Sequence, residues 1–148
     1  MKRLTIMLAS GFGVGYSPAG GTLGSVWGLL LFTCLHSLPP LTYVLTLVTF
    51  FFVAVFISSQ AERIFGEKDS GKIVIDEMVG MMIAVSFLPF SFQNLILGFI
   101  FFRVLDIFKP FPIRVLEKKL AGGLGVVMDD VAAGLVANLL LRAITHWL

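Results

Sequence analysis

The chain has 148 residues, which is enough for one domain, and 57% of them are hydrophobic, with a mean hydropathy of +0.97. Only 14% are charged, against about 25% in an ordinary soluble domain, so the composition favours an integral membrane protein. The net charge of +2 does not indicate nucleic-acid binding, and the single cysteine excludes a disulfide framework or a thiolate metal cluster within one chain. We do not expect a cleaved signal peptide, because the apolar run at residues 4–9 is short and a glycine-rich stretch follows it.

Residues 11–25, GFGVGYSPAGGTLGS, predict a loop that leads into a helix. The backbone N–H groups of such a loop can bind an anion, and Thr22 or Ser25 can cap the helix that follows. No Gly-Lys-Ser/Thr sequence follows, so this is not a Walker phosphate-binding loop. Tight turns and close packing explain the glycines equally well, and this segment alone does not decide between packing and phosphate binding.

Two apolar runs follow, at residues 26–38 and 41–57, separated by Pro39 and Pro40. Each run is shorter than the roughly 20 residues that span a bilayer comfortably. Proline cannot continue a helix in mid-course, so the pair of runs predicts a helical hairpin with its turn at the prolines. Cys34, near that turn, is expected to be a small buried apolar residue.

The polar segment at residues 58–72 predicts a solvated loop or a surface helix. Asp69 stands apart from its charged neighbours because it lies seven residues before Asp76, and the two would share a face of a continuous helix. Ser70 and Gly71 between them make such a helix doubtful.

Asp76 and Glu77 lie in the sequence IVIDEMVG, between an apolar tripeptide and the next apolar run, at residues 78–90. A charge beside membrane-type sequence is costly unless it faces water, a metal or a partner, which favours a functional site. The alternative is that the two acids only mark a helix N-terminus, where they suit the macrodipole. A fourth apolar run begins at residues 94–102, and both runs are so short that they either recruit their flanks to span a bilayer or form a shallow re-entrant hairpin.

Arg103 and Asp106 are three residues apart and are expected to share a helix face, and Lys109 with Pro110 ends that helix. A second glycine-rich loop is predicted at residues 121–127. The adjacent acids Asp129 and Asp130 follow it, and the last apolar run covers residues 131–148, with Arg142 as its single charge.

Five hydrophobic helical segments, taken as alternating crossings, predict an all-α, multi-pass membrane protein. This topology collects all nine acids and ten of the eleven basic residues on one side, and the turns on the far side carry no formal charge. The positive-inside rule makes the charged side cytoplasmic. Clustered carboxylates there suit Mg²⁺, and nearby Lys and Arg suit phosphate. The cysteine and both histidines are expected away from this side, which leaves metal-assisted attack on phosphorus by water or by an aspartate.

The motifs resemble those of the phosphatidylglycerophosphatase A family. The similar pieces are Pro18 with Gly21-Thr22 and Gly24-Ser25, Asp69 with IVIDEMVG, FRVLDIFKPFPI at 102–113, and GGLGVVMDDVAAG at 122–134. Where the family usually has Ala-Pro-Gly-Thr, this chain has Ala19-Gly20-Gly21-Thr22. The resemblance implies a Mg²⁺-dependent lipid phosphatase of the bacterial inner membrane that converts phosphatidylglycerophosphate to phosphatidylglycerol and inorganic phosphate, the last step in making that lipid.

The resemblance also implies a set of site residues. Asp76, Glu77, Asp106, Asp129 and Asp130 are expected to be catalytic, with Asp76, Glu77, Asp129 and Asp130 holding Mg²⁺ or the attacking water. Arg103, Lys109, Thr22 and Ser25 are expected to bind the phosphomonoester. Two alternatives remain open: a Mg²⁺-dependent phosphatase or phosphotransferase acting on another lipid phosphate, and a non-enzymatic cation carrier, which would need acids at the bilayer midplane.

Overall fold

The residues that the structure describes form six α-helices of eight or more residues and a short 3-10 turn, and they contain no β-strand. This computed structural model describes residues 2–111, 113, 115 and 119–147. The all-helical class predicted from the sequence is confirmed. The helices are α1 (Lys2–Ala9), α2 (Gly20–Leu35), α3 (Pro40–Phe65), α4 (Ile75–Val85), α5 (Phe92–Phe108) and α6 (Gly123–Trp147), and the 3-10 turn covers Val14–Tyr16.

Helix α4 is the centre of the bundle, in contact with α2, α3, α5 and α6. Its 11 residues rise only about 16 Å, about half the thickness of a hydrocarbon core. Most of them are buried by protein, and Met81, Met82 and Val85 pack with Phe102 of α5 and Ala137 of α6. The apolar run in this region is therefore the core of the bundle, enclosed by the longer helices.

Two glycines let α4 and α6 approach closely. A Cβ atom at Gly80 would lie 2.7 Å from the carbonyl oxygen of Asp130 and 2.6 Å from the ring of Phe102. A Cβ atom at Gly134 would overlap the carbonyl oxygen of Gly80. Small residues at a crossing allow two helix backbones to touch, as in many membrane bundles. This contact holds Asp130 against the N-terminal half of α4.

Successive helices from α2 to α6 run in opposite directions. At one end of the bundle, Gly21 of α2 faces Glu77 of α4 and Arg103 of α5. At the other end, the hydroxyl groups of Tyr43 and Ser86 are 2.8 Å apart, which joins the start of α3 to the end of α4. The alternation predicted from the apolar runs is therefore present in the packing.

The predicted turn at Pro39 and Pro40 is confirmed, whereas the predicted environment of Cys34 is wrong. Helix α3 begins at Pro40, and the Ser91 side chain caps α5 by accepting a hydrogen bond from the Asn94 N–H at 3.1 Å. Cys34 is exposed on the outer surface of the bundle, because the last turn of α2 packs through Phe32 instead.

The second glycine-rich segment is helical, which corrects the prediction of a loop at residues 121–127. Helix α6 begins at Gly123, whose N–H donates a hydrogen bond to Ser59 Oγ at 3.0 Å. A Cβ atom at Gly123 would overlap the carbonyl oxygen of Val55, so the glycine permits close packing of α6 on α3. Asp129 and Asp130 consequently lie within the first two turns of α6 rather than ahead of it.

Two helices are long and apolar enough to cross a membrane. One is Pro40–Phe65, whose most apolar window has a mean hydropathy of 2.3 and is 22% buried. The other is Gly123–Thr145, with corresponding values of 1.8 and 50%. The number of about five crossing segments stays a prediction.

Candidate active site

Three carboxylates converge at one end of the bundle. Asp76 and Glu77 lie in the first turn of α4, and Asp130 lies in the second turn of α6. One carboxylate oxygen from each residue lies within 4.8 Å of the other two. Asp76 is 6% exposed and Asp130 is 3% exposed. The structure thus brings together acids that are 54 positions apart in the chain.

The apolar residues before Asp76 explain why these acids are buried. Ile73, Val74 and Ile75 are all buried, and they anchor the start of α4 in the core. The N–H of Val74 donates to the carbonyl of Ala9 at 2.8 Å, which ties this segment to the end of α1. The first helical turn then carries its two acids inward, where the partial positive charge of the helix N-terminus favours them.

Several polar atoms in this region are buried and have no hydrogen-bond partner among the described residues. They are Asp76 Oδ1, Glu77 Oε2, Arg103 Nε and Asp129 Oδ1. Leaving a buried polar atom unpaired costs about 1–3 kcal/mol, and more for a charged group. Four such atoms at one end of the molecule make this cluster the strongest candidate for a ligand site among the described residues.

Burial also changes the acidity of the α4 carboxyls, which precede the apolar part of that helix. Burial raises the pKa of Asp76 well above its usual range, and the nearby charge of Glu77 raises it further. Burial raises the pKa of Glu77 to about 7, although its hydrogen bond with Asp76 has a lowering effect. In the absence of a cation the two carboxyls therefore hold a proton between them, because adjacent buried carboxylates repel each other.

Two basic side chains complete the site, each paired with an acid. Arg103 Nη1 donates to Asp106 Oδ2 along α5, which confirms their predicted shared face. Lys109 Nζ donates to Asp129 Oδ2 across the α5–α6 interface. Asp129 thus lies beside the group formed by Asp76, Glu77 and Asp130 rather than within it.

Lys109 reaches this position because α5 ends there. Its φ of 42° is in the left-handed region, and its N–H donates to the carbonyl of Leu105 at 2.8 Å. Such a C-cap is usually a glycine or asparagine, so a lysine here carries a conformational cost. The predicted helix end before Pro110 is confirmed, and the same turn aims the ammonium group at Asp129.

Gly21 belongs to the site although sequence reasoning assigned it no role beyond its motif. A Cβ atom at this position would lie 3.1 Å from Arg103 Nη2 and would overlap Glu77 Oε1. The missing side chain therefore leaves room for a carboxylate and a guanidinium against the first turn of α2. The signal in the sequence was the group of small residues, GGTLGS at 20–25, that opens a helix whose later turns are bulky and apolar.

Thr22 and Ser25 do not cap α2, which corrects the prediction made for them. The helix begins at Gly20, and Ala19 occupies the N-cap position without a side-chain hydrogen bond. Ser25 is fully buried, and its Oγ donates to the carbonyl of Gly21 at 2.9 Å. Thr22 is half-buried in the first turn. Their role in substrate binding stays a prediction.

Asp69 lies next to the cluster without sharing a helix with Asp76. It has a φ of 50° in the loop before α4, and its N–H donates to Glu62 Oε1 at 2.8 Å. Its negative charge contributes to the raised pKa of Asp76, after burial and the charges of Glu77 and Asp129. The doubt about a continuous helix through Ser70 and Gly71 is confirmed.

The residues present fit a divalent cation. Oxygen atoms of Asp76, Glu77 and Asp130 are close enough to contact one ion, and two of these residues have an unpaired oxygen. Carboxylate oxygens are the protein ligands that Mg²⁺ prefers. Once every carboxyl is deprotonated, as metal binding requires, the five acids of the site exceed the two bases, Arg103 and Lys109, by three negative charges. A divalent cation would offset part of that excess and so reduce the repulsion of a phosphate dianion.

Comparisons with known proteins identify the family of the chain. The phosphatidylglycerophosphatase A family model matches residues 7–145. Phosphatidylglycerophosphatase A of Escherichia coli (strain K12) is 37% identical over 142 residues, which cover 95% of this chain and 83% of that protein. Phosphatidylglycerophosphatase A of Haemophilus influenzae is 38% identical over 156 residues, covering 100% of this chain and 96% of that protein.

A third relative has a different name. The putative phosphatidylinositol-3-phosphatase of Bacteroides thetaiotaomicron is 36% identical over 159 residues, covering 99% of this chain and 98% of that protein. No solved structure matches the chain. Since the family match covers almost the whole chain, this protein belongs to the phosphatidylglycerophosphatase A family.

Proposed function

We propose that this protein is a lipid phosphatase that hydrolyses phosphatidylglycerophosphate to phosphatidylglycerol and inorganic phosphate, the last step in phosphatidylglycerol synthesis. The observation that carries the proposal is the convergence of Asp76, Glu77 and Asp130 beside Arg103 and Gly21, in a chain of this family. Buried acids with unpaired oxygens, next to a guanidinium, form a site suited to a metal ion and a phosphate together.

The site belongs at the cytoplasmic surface of the bacterial inner membrane, with about five helical segments crossing the bilayer. The two long apolar helices, α3 and α6, support membrane insertion. The excess of Lys and Arg in the segments at the acidic end supports a cytoplasmic orientation. A lipid phosphate presents its head group at this surface while its chains stay in the bilayer, so the substrate reaches the site without leaving the membrane.

Mg²⁺ is the cofactor that this site fits best. Asp76, Glu77 and Asp130 would hold it, and Asp129 would join them through its unpaired Oδ1. When bound, such an ion offsets the charge on the phosphoryl oxygens and increases the acidity of bound water. The proton held between the Asp76 and Glu77 carboxyls would leave on binding, since a carboxylate ligand must be deprotonated.

The remaining side chains bind and orient the phosphomonoester. Arg103 and Lys109 bind its oxygens, with Arg103 Nε available as an unpaired donor. Thr22 and Ser25 line the adjoining turn of α2. Where water attacks phosphorus, a nearby carboxylate, Asp106 or Asp129, would take its proton as the new P–O bond forms and pass that proton to the glycerol oxygen as the ester P–O bond breaks. Where an aspartate attacks instead, water would afterwards hydrolyse the aspartyl phosphate and release inorganic phosphate.

A second candidate function is hydrolysis of a different lipid phosphate. The observation that favours it is the name of the Bacteroides relative, a putative phosphatidylinositol-3-phosphatase with similar identity over nearly the whole chain. A carboxylate and basic site recognises a phosphomonoester whatever alcohol carries it, so the head group has to be selected outside the cluster.

Phosphate release by the detergent-purified protein tests both functions. Phosphatidylglycerophosphate, phosphatidylinositol 3-phosphate and phosphatidic acid are compared in matched micelles, with Mg²⁺ and with excess EDTA. We expect preference for phosphatidylglycerophosphate and loss of release in EDTA, restored by added Mg²⁺. Preference for phosphatidylinositol 3-phosphate would establish the second candidate instead. Full release in EDTA would contradict the metal site and leave the substrate assignment intact.

A further inference from the structure

Helices α2 and α5 frame an apolar groove that begins next to the carboxylate site. The two helices contact each other only narrowly, and a cavity of about 380 Å³ lies between them. That volume falls within the range of about 300–1,000 Å³ found for small-molecule sites. Its walls include Val26, Leu30 and Thr33 from α2 and Phe92, Ile96 and Phe99 from α5.

The groove presents no unsatisfied polar group to a ligand. Thr33 is the only residue in its lining with a polar side chain, and its hydroxyl donates to the carbonyl of Leu30 at 2.7 Å. Leu30 is 50% exposed and Ile96 is 42% exposed, so the groove opens on the outer face of the bundle. A ligand that fits such a groove is a hydrocarbon, entering sideways from the membrane.

The groove is continuous with the site along both helices. Val26 lies five residues after Gly21, and Phe99 lies four residues before Arg103, so each wall begins about 6–8 Å from a site residue. From Arg103 to Phe92, α5 descends about 16 Å, close to the roughly 15 Å depth of one leaflet's hydrocarbon. A lipid with its phosphate at Arg103 would therefore lay one acyl chain along the groove.

The larger apolar cavity has no wall from α5, the helix that carries Arg103, among the described residues. It has a volume of about 530 Å³, lies mainly between α2 and α3, and includes Met82 of α4 in its lining. Met82 is five residues after Glu77 but only 1% exposed. On α2, the lining residue nearest to the site, Leu31, is ten residues from Gly21, or about 15 Å. A lipid whose phosphate lies at Arg103 is therefore beside the α2–α5 groove rather than beside this cavity.

We propose that the α2–α5 groove binds one acyl chain of the lipid phosphate substrate and thereby makes the enzyme selective for long-chain lipids over short-chain or water-soluble phosphomonoesters. This inference rests on the proposed function. The other face of α5 is committed to the core, because a Cβ atom at Gly98 would lie 2.6 Å from Val85 of α4. The face that carries Ile96 is left for the lipid.

The kinetic test fills the groove with Leu30→Trp and, separately, Ile96→Trp. We expect at least a tenfold fall in kcat/KM for dioleoyl phosphatidylglycerophosphate, mainly through KM, and less than a twofold change for the dihexanoyl lipid. Leu139→Trp, on the exposed face of α6, is the matched control, and Thr46→Trp fills the rival cavity. Equal losses on both substrates, or a selective loss with Thr46→Trp alone, would overturn the proposal.

A binding test separates this inference from the proposed function. A diacyl lipid phosphate with a photoreactive group near the end of one chain is crosslinked to the unaltered protein in vesicles, and the labelled peptides are mapped. We expect labels on α2 and α5 around Thr33 and Phe92, reduced by Ile96→Trp. If those labels form but no lipid phosphate is hydrolysed, the proposed function fails and the groove stands. Labels confined to α3 would overturn the groove.

Discussion

The two ends of α4 show how one apolar bundle treats buried polar groups in opposite ways. At its N-terminal end, Asp76 and Glu77 are enclosed together with Asp130, and two of these acids have an unpaired oxygen. At its C-terminal end, Asn138 of α6 donates from Nδ2 to the carbonyls of Ile83, Ala84 and Ser86, at 3.2, 3.0 and 2.9 Å. The first end is left incomplete, while the second satisfies carbonyls that a helix end would otherwise leave unpaired.

Arg142 extends the satisfied end. Its Nε donates to Asn138 Oδ1 at 2.7 Å, and its Nη2 donates to the Ser86 carbonyl at 3.1 Å. The Tyr43 hydroxyl meets Ser86 Oγ at the same place. Arg142 therefore caps the C-terminal end of α4, at the end of the bundle away from the acids. Buried polar networks stabilise a fold when every member is paired, so the end with unpaired atoms is the better candidate for a ligand site.

The largest effect that this comparison predicts is at the incomplete end. Asp76→Asn and Asp130→Asn should each lower phosphate release by about 100- to 1,000-fold, or about 3–4 kcal/mol of activation free energy, because each removes a metal ligand and a charge. The unfolding temperature should stay the same or rise, since a poorly paired buried charge is removed. Activity and thermal unfolding are measured on the same detergent-purified samples.

Glu67→Gln is the control, because Glu67 is an exposed acid in the loop between α3 and α4. It should keep full activity. Near-normal activity in either aspartate variant would refute the assignment of the carboxylate cluster as the catalytic site.

At the C-terminal end of α4, where the polar groups are paired, we expect a loss of stability with little change in activity. Asn138→Leu removes the donor to three carbonyls and should lower the free energy of unfolding by about 2–3 kcal/mol. Activity per folded molecule should change less than threefold, because the site is at the other end of α4. Thermal unfolding in detergent and phosphate release measure the two quantities.

Leu139→Ala provides the comparison, since Leu139 is 66% exposed on the same helix and makes no such bonds. It should cost less than about 0.5 kcal/mol. If Asn138→Leu left stability unchanged but abolished activity, the division between a structural end and a catalytic end would be wrong.

The smallest predicted effect concerns Gly21, which places the start of α2 against the carboxylate cluster. Gly21→Ala places a methyl group against Arg103 and Glu77, whose side chains can shift, so the fold should persist. We expect about a tenfold loss of activity, or about 1.4 kcal/mol of activation free energy, because two site groups move. Steady-state kinetics with circular dichroism provide the measurement.

Gly71→Ala is the matched glycine control. A Cβ atom at Gly71 would meet nothing within 4 Å, and its φ is not in the left-handed region. Equal losses in the two glycine variants would mean that Gly21 acts through backbone flexibility rather than through the space it leaves.

The residues of the site were largely predictable, but their arrangement was not. The cost of acids beside apolar runs pointed to Asp76, Glu77, Asp129 and Asp130, and the family resemblance added Asp106 to the expected set. The division of these acids into a three-residue group and a Lys109-paired Asp129 depends on packing between α4, α5 and α6, which spacing along the chain does not specify. Gly21 escaped notice because a missing side chain has no chemistry of its own.

The glycine-rich segments show the same limit in the fold. The sequence predicted a loop for both segments. The second segment is instead the start of a helix, because Gly123 packs against the backbone of α3. A glycine that opens a turn and one that lets two helices touch are the same letter in a sequence. Only the position of the neighbouring helix distinguishes them.

By itself, the sequence determined the helical class, the turn at Pro39 and Pro40, and which acids to expect together in a site, because each follows from local propensity or from the cost of charge in apolar surroundings. The tertiary structure decided that α4 is enclosed by its neighbours, that its two ends are treated differently, and that a groove leads away from Gly21 and Arg103. Those features depend on contacts between residues far apart in the chain, and their energies exist only once the helices have packed.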